Sequence, residues 1–121
     1  MAIRPLEADE VPAYSRILAD SDMDGLFGAA VLKAFRPDAE VVFSHAAELR
    51  SGLVDDLIDR TTVLVDLPFH TACGWYVDHH LTNRPSEDEA QRFAASGGLQ
   101  HWEATPSAAR LAYELLVNIT D

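Results

Sequence analysis

A second cysteine is missing, so Cys73 has no intrachain partner and nothing in the chain points to an oxidising compartment. Basic charge is scarce: nine Lys plus Arg stand against twenty Asp plus Glu, and Lys33 is the only lysine. A formal charge of -11 makes the surface as a whole repel nucleic acid phosphates. Any phosphate substrate therefore needs local help, and bound divalent cations are the obvious source because they reverse the sign of a site. Long hydrophobic runs are absent too. "MAIRPLEADEVPAY" holds no apolar stretch that could act as a signal peptide, and no segment approaches the length needed to span a bilayer. A cytoplasmic protein outside the membrane is the expectation. Internal repeats, low-complexity tracts and linker-like shifts in composition are also lacking.

What is present suffices for one domain: 121 residues, 48% of them hydrophobic, can build a layered core. "SRILAD" at 15–20 reads as a short buried strand ending in acid, and "GLFGAAVLKAF" at 25–35 has helical spacing until Pro37 stops it. "AEVVFS" at 39–44 is a second strand by its β-branched and aromatic content. A helix follows it, with Leu49, Leu53, Leu57 and Ile58 on one face. "TTVLVD" at 61–66, apolar without alternation, suits a strand covered on both faces. "GWYVD" at 74–78 gives a fourth strand, and in "SEDE" Ser86 and Glu89 fit a helix capping box. "LQHWE" at 99–103 is the fifth strand, and "TPSAARLAYELL" begins with Thr105 as N-cap and Pro106 in the first helical position. Alternating strands and helices predict an α/β fold, an open, mainly parallel five-stranded sheet with helices on both faces. Ligands would bind beyond the carboxyl ends of the strands.

The acids gather at that edge. "LADSDMDGLFGAA" at 18–30 places Asp20, Asp22 and Asp24 at alternate positions before Gly25. Asp66 ends the third strand, and Asp78, His79 and His80 end the fourth. Carboxylate oxygens with imidazole nitrogen suit manganese, magnesium or zinc, and ligands from separate strands can hold two ions close together. Neighbouring carboxylates raise one another's pKa, and a cation relieves that repulsion. Bland readings stand beside each residue. Asp22 or Asp24 alone could cap the following helix, Asp66 before "LPF" could sit in a turn, and adjacent histidines are often surface residues.

Other acidic motifs fit less well. "DSDMDG" matches the start of an EF-hand loop, but its twelfth position is Val31 where a bidentate Glu is required, and a strand precedes it. A phosphoacceptor receiver domain shares the length and the α/β order. It would need a lysine near the fifth strand, whereas Lys33 is the only lysine, and the paired histidines would have no role.

These residues resemble the DHH phosphoesterase family, specifically a RecJ-like DHH domain. "DSDMDG" at 20–25 is similar to its first motif, "VLVDLP" at 63–68 to its second, and "VDHH" at 77–80 to the signature that names it. "PSAARLAYELL" at 106–116 looks like the small-residue helix start that follows the signature in many members. The resemblance implies a Rossmann-like domain holding two divalent ions, usually Mn2+, with Mg2+ or another divalent ion as substitute. Asp22, Asp24, Asp66 and His79 would be the metal ligands, Asp66 bridging, with Asp20 in a supporting position. His80 would face the substrate phosphate, and Asp78 would orient the histidine pair. Ser107 and Arg110 are weaker substrate-contact candidates, since an ordinary helix start with an exposed arginine looks the same.

A paired-ion site of this kind hydrolyses phosphodiester or phosphoanhydride bonds. The substrates implied are small nucleotides, short oligonucleotides or polyphosphate, and nothing indicates a membrane partner. A domain that binds metal or senses nucleotide without turnover is the alternative. The chain departs from the family in one respect: a fourth motif with a further metal-binding aspartate, and a C-terminal substrate-binding domain, are expected beyond this sequence. Asp121 comes too soon after the last helix to take that aspartate's role. Residues 1–121 would then be a DHH-type domain completed by a second domain or a partner chain.

His45, His70 and His101 read as structural polar residues, Cys73 as a small buried hydrophobe, and Trp75 and Trp102 as core or interdomain packing. Gly25 suits a tight turn from acids into helix.

Overall fold

The computed structural model describes residues 3–117 and 119; Asp121 lies outside them. Five strands, β1 (Arg16–Asp20), β2 (Glu40–Ser44), β3 (Thr62–Val65), β4 (Trp75–Asp78) and β5 (Leu99–Trp102), form one sheet in the order β2-β1-β3-β4-β5. Every pairing is parallel, with Leu18 opposite Val42 and Leu64, and Leu64 opposite Tyr76. The α-helices are α1 (Met23–Phe35), α2 (Ala46–Ser51), α3 (Glu87–Ala95) and α4 (Ala108–Leu116).

Alternation along the strands sorts the core into two layers. Ile17, Ala19, Val63, Val65, Trp75 and Val77 face α1 and α4, where Ala29, Leu32, Leu111 and Leu115 cover them. Leu18, Leu64 and Tyr76 face the opposite way, onto Leu49 of α2, Phe93 of α3, Ile58 and Leu67. With helices on both faces, β3 and β4 are buried along their whole length, as the unbroken apolar run in β3 predicts. Gly28 lets α1 approach β3 closely, since a Cβ there would stand 2.9 Å from Val65 Cγ2.

Three local expectations fail. The helix projected through Leu57 stops at Ser51, because Gly52 turns left-handed at φ +82 and Leu53 points into solvent, 71% exposed. Only Leu49 and Ile58 of that face are buried. No helix joins β3 to β4: residues 66–74 cross over as a loop. Leu67, Phe69 and Cys73 do a helix's covering work there, with Phe69 packed edge-on against Tyr76 and Phe93 at 5.2 and 5.0 Å. Finally, α4 is capped by Ser107, whose hydroxyl accepts from Arg110 N, while the Thr105 hydroxyl donates to the Ser107 carbonyl. Pro106 therefore precedes the helix. The Ser86–Glu89 capping box forms as the sequence predicts.

The sheet order reverses beside β1: the chain leaves it for β2 on one side and returns to β3 on the other. In an open parallel sheet this reversal parts the loops beyond the strand ends and opens a crevice there. The segments following β1 and β3 therefore flank one cleft, and the segment following β4 lies next to it.

Candidate metal centre

Asp66 sits at the middle of that cleft. It follows β3 in the left-handed region at φ +65, the only described non-glycine residue to do so. Aspartate tolerates that conformation better than most side chains. Its side chain is fully buried, and neither carboxylate oxygen has a hydrogen-bond partner. Burial, then contact with Asp22 and the charges of Asp24, Asp22 and Asp78, pushes its pKa up to about 9. A buried carboxylate without a donor is costly, and a cation at this place would supply what the protein leaves out.

Two sets of donors meet at Asp66. One ligand atom each from Asp66, Asp78, His79 and His80 fall within 4.8 Å of one another, and the same holds for Asp20, Asp22 and Asp66. The sequence places these residues after three different strands, and the sheet brings them together. Hard carboxylate oxygens with imidazole nitrogens fit manganese, magnesium or zinc.

The first-motif aspartates divide the work. Asp20 ends β1, and its carboxylate accepts weakly from Asp22 N at 3.4 Å. Burial and then the nearby Asp22 charge raise its pKa. Asp22 is the N-cap of α1, accepting from Gly25 N at 2.9 Å, so the capping reading and membership of the acidic set hold together. Asp24 points away from its own helix end. Its two oxygens accept from Ala108 N and Ala109 N, each at 3.0 Å, and Oδ2 also lies 3.1 Å from His79 Nε2. Burial works to raise its pKa, but the Ala109 and Ala108 donors, with Asp66 and His79 nearby, outweigh it and hold the carboxylate low.

His79 Nε2 lies 3.6 Å from Asp66 Oδ1, and His80 Nδ1 lies 3.5 Å from the same oxygen. Asp78 is completely buried, and its Oδ1 is 2.9 Å from His80 Nδ1, so it orients one histidine of the pair directly. The rings of His79 and His80 lie beside each other, tilted by 40° with centroids 4.4 Å apart.

Ser107 and Arg110 stand at the start of α4, the helix end that Asp24 holds. Ser107 caps the helix, and the Arg110 guanidinium turns along it to Glu114 Oε1 at 2.8 Å. His45, His70 and His101 stay out of the cluster. His45 is exposed, His70 Nε2 contacts Asp55, and His101 Nδ1 accepts from Trp75 Nε1.

Sequence reasoning missed two supports. The Tyr76 hydroxyl reaches Asp78 Oδ2 at 3.1 Å, sharing its position with the Leu67 carbonyl at 2.8 Å. Burial and then the Asp78 charge raise its pKa, keeping the donor protonated. Period-two spacing in "WYVD" places Tyr76 and Asp78 on one strand face, a usable signal. Trp102 Nε1 donates to the His80 carbonyl at 2.7 Å; no local pattern announces that bond.

No family model matches the chain, and no curated protein does either. Among solved structures it is similar to a pGpG-specific phosphodiesterase, PggH, from Vibrio cholerae, with a TM-score of 0.57 and 27% identity. The match covers 84% of this chain and 29% of that protein, so the chain spans less than a third of its neighbour's length. The likeness agrees with the open parallel α/β architecture. No described helix is long and apolar enough to cross a membrane.

Proposed function

We propose that this chain is the metal-binding domain of a phosphohydrolase that cleaves phosphodiester bonds in small nucleotides. The observation that carries the reading is Asp66, with both oxygens buried and unpartnered where two groups of ligand atoms meet. The "VDHH" and "DSDMDG" segments contribute nearly all of those groups, in keeping with the DHH-type resemblance. The structural neighbour, a phosphodiesterase acting on pGpG, favours a small nucleotide diester over polyphosphate.

Asp20, Asp22 and Asp66 would hold one divalent ion; Asp66, with His79 and its companions, would hold the second. Manganese suits the mixture of carboxylate and imidazole donors. Paired ions of this kind lower the pKa of a water and neutralise charge on phosphoryl oxygens. The chain itself supplies position. Asp78 holds His80 through Nδ1, so Nε2 is the ring nitrogen left to meet a phosphate or leaving oxygen. Tyr76 below and Trp102 beside fix that arrangement. Ser107 and Arg110, at the start of α4, would lie on the substrate side. A second domain or a partner chain would cover the open cleft and complete the ligands.

The test is manganese titration by calorimetry alongside a panel of linear dinucleotides, cyclic dinucleotides and polyphosphate. Manganese binding with release of mononucleotide is expected. Binding without product release marks a nucleotide-sensing domain, and absence of manganese binding overturns the reading.

A further inference from the structure

Beside His80 lies a cavity of 370 Å³ lined by Arg84, Pro85, Glu87, Ala90, Gln100 and Trp102. It is joined to the metal centre by a single turn of chain. The His80 carbonyl accepts from Asn83 N at 3.0 Å and from Trp102 Nε1 at 2.7 Å, so the segment carrying His80 becomes one wall and the indole another. The Arg84 guanidinium lies over the Trp102 ring, 4.5 Å from its centroid. Arg16, Arg92 and Arg110 are paired with glutamate or aspartate. Arg84, like Arg36, Arg50 and Arg60, has no carboxylate partner among the described residues; of these four it is the one that lines this cavity.

The remaining groups are equally uncommitted. Glu87, in the first turn of α3, makes no ion pair among the described residues. Gln100 gives its Oε1 to Trp102 N at 2.9 Å, which leaves its amide hydrogens free. A flat cation stacked on an indole offers its outer face to another flat π-system, the way unpaired bases are held on aromatic and guanidinium planes. A carboxylate beside such a platform accepts from two adjacent N–H donors, which the Watson–Crick edge of guanine presents and that of adenine does not.

We propose that this cavity is a guanine subsite, in which the base stacks against the Arg84 and Trp102 planes and Glu87 accepts from its ring and exocyclic N–H groups. The proposal rests on the nucleotide reading of the neighbouring metal centre, and it places the base-recognising residues just beyond the turn that follows His80.

Guanosine, adenosine and ribose 5-phosphate, titrated in EDTA with tryptophan emission as the readout, separate the base from the phosphate and from the metal. Guanosine quenches Trp102 and binds about tenfold more tightly than adenosine, while ribose 5-phosphate leaves the emission unchanged. The signal disappears in Trp102→Phe, which shows that buried Trp75 is not its source. Glu87→Gln levels the two nucleosides, and Arg84→Ala weakens both roughly tenfold; both variants leave the Trp102–His80 bond in place. Equal binding of guanosine and adenosine, or unchanged affinity in Arg84→Ala and Glu87→Gln, overturns the subsite. Dinucleotide hydrolysis without nucleoside binding overturns the subsite and leaves the hydrolase reading intact. Guanosine binding without manganese-dependent hydrolysis does the reverse.

Discussion

Asp24 and His79 are separated by 55 positions in the chain, yet Asp24 Oδ2 and His79 Nε2 lie 3.1 Å apart. The same carboxylate holds the start of α4 through two backbone N–H groups. One side chain thus ties the helix after β1, the segment after β4 and the last helix into a single unit.

Removing that carboxylate affects both stability and the site. Asp24→Ala is expected to cost about 1–3 kcal/mol, because charge-assisted bonds to the α4 amides are lost and those donors are left unsatisfied. Urea unfolding measures the loss. Manganese affinity falls in the same variant, while Asp24→Asn, which keeps one acceptor oxygen, recovers part of the stability. A variant as stable as the parent contradicts the clamp.

Asp66→Asn tests the orphaned carboxylate. Its folded-state pKa of about 9 stands above the ordinary 3.8, so the metal-free folded protein binds the extra proton. The stability contributed by that proton is complete below the unfolded-state value and is lost as pH rises towards 9. Metal-free protein should therefore weaken from acid to alkaline pH through this group, and Asp66→Asn should flatten that slope. At neutral pH the variant gains about 1 kcal/mol or more without metal. It also loses the rise in melting temperature that manganese gives the parent. Asparagine tolerates the left-handed backbone, so the substitution reports on charge. Equal manganese stabilisation of both proteins would sink the assignment.

Gly25→Ala should damage the first acidic loop. A Cβ at this position runs into the backbone carbonyl of Asp20, which has no side-chain freedom with which to yield. A loss of about 1–3 kcal/mol is expected. Manganese affinity should drop as well, because Asp20 and Asp22 flank the displaced backbone. Thermal melts with and without manganese separate the two effects.

His101 gives a pH dependence away from the candidate metal centre. Burial, then the Arg4 charge, lowers its pKa from 6.5 to about 4, and neutral Nδ1 accepts from Trp75 Nε1 at 2.9 Å. The unfolded chain takes up the proton first, so stability falls as pH drops from about 6.5 towards 4, by about 2–3 kcal/mol in all. His101→Gln, which cannot titrate, should lack this component. Urea midpoints at pH 7 and pH 4.5 supply the comparison.

Much of the fold was legible because apolar periodicity is local. The strands in "SRILAD", "TTVLVD" and "GWYVD" and the capping box at Ser86 announce themselves within a few residues. The helix projected through Leu53 and Leu57 misled because an apolar face can be written in the sequence while Gly52 breaks the backbone beneath it. The crossing from β3 to β4 misled for a related reason: Leu67, Phe69 and Cys73 cover the sheet without being helical.

By itself the sequence determined which residues would meet, since acids and histidines at the ends of apolar strands must emerge at one rim of a parallel sheet. Tertiary structure decided their division of labour. Asp22 caps its helix, Asp24 reaches across to α4 and His79, and Asp66 is left buried with nothing to accept. Those outcomes depend on which strands are neighbours and which distant amides point inward, and contacts between remote segments leave no periodic trace along the chain.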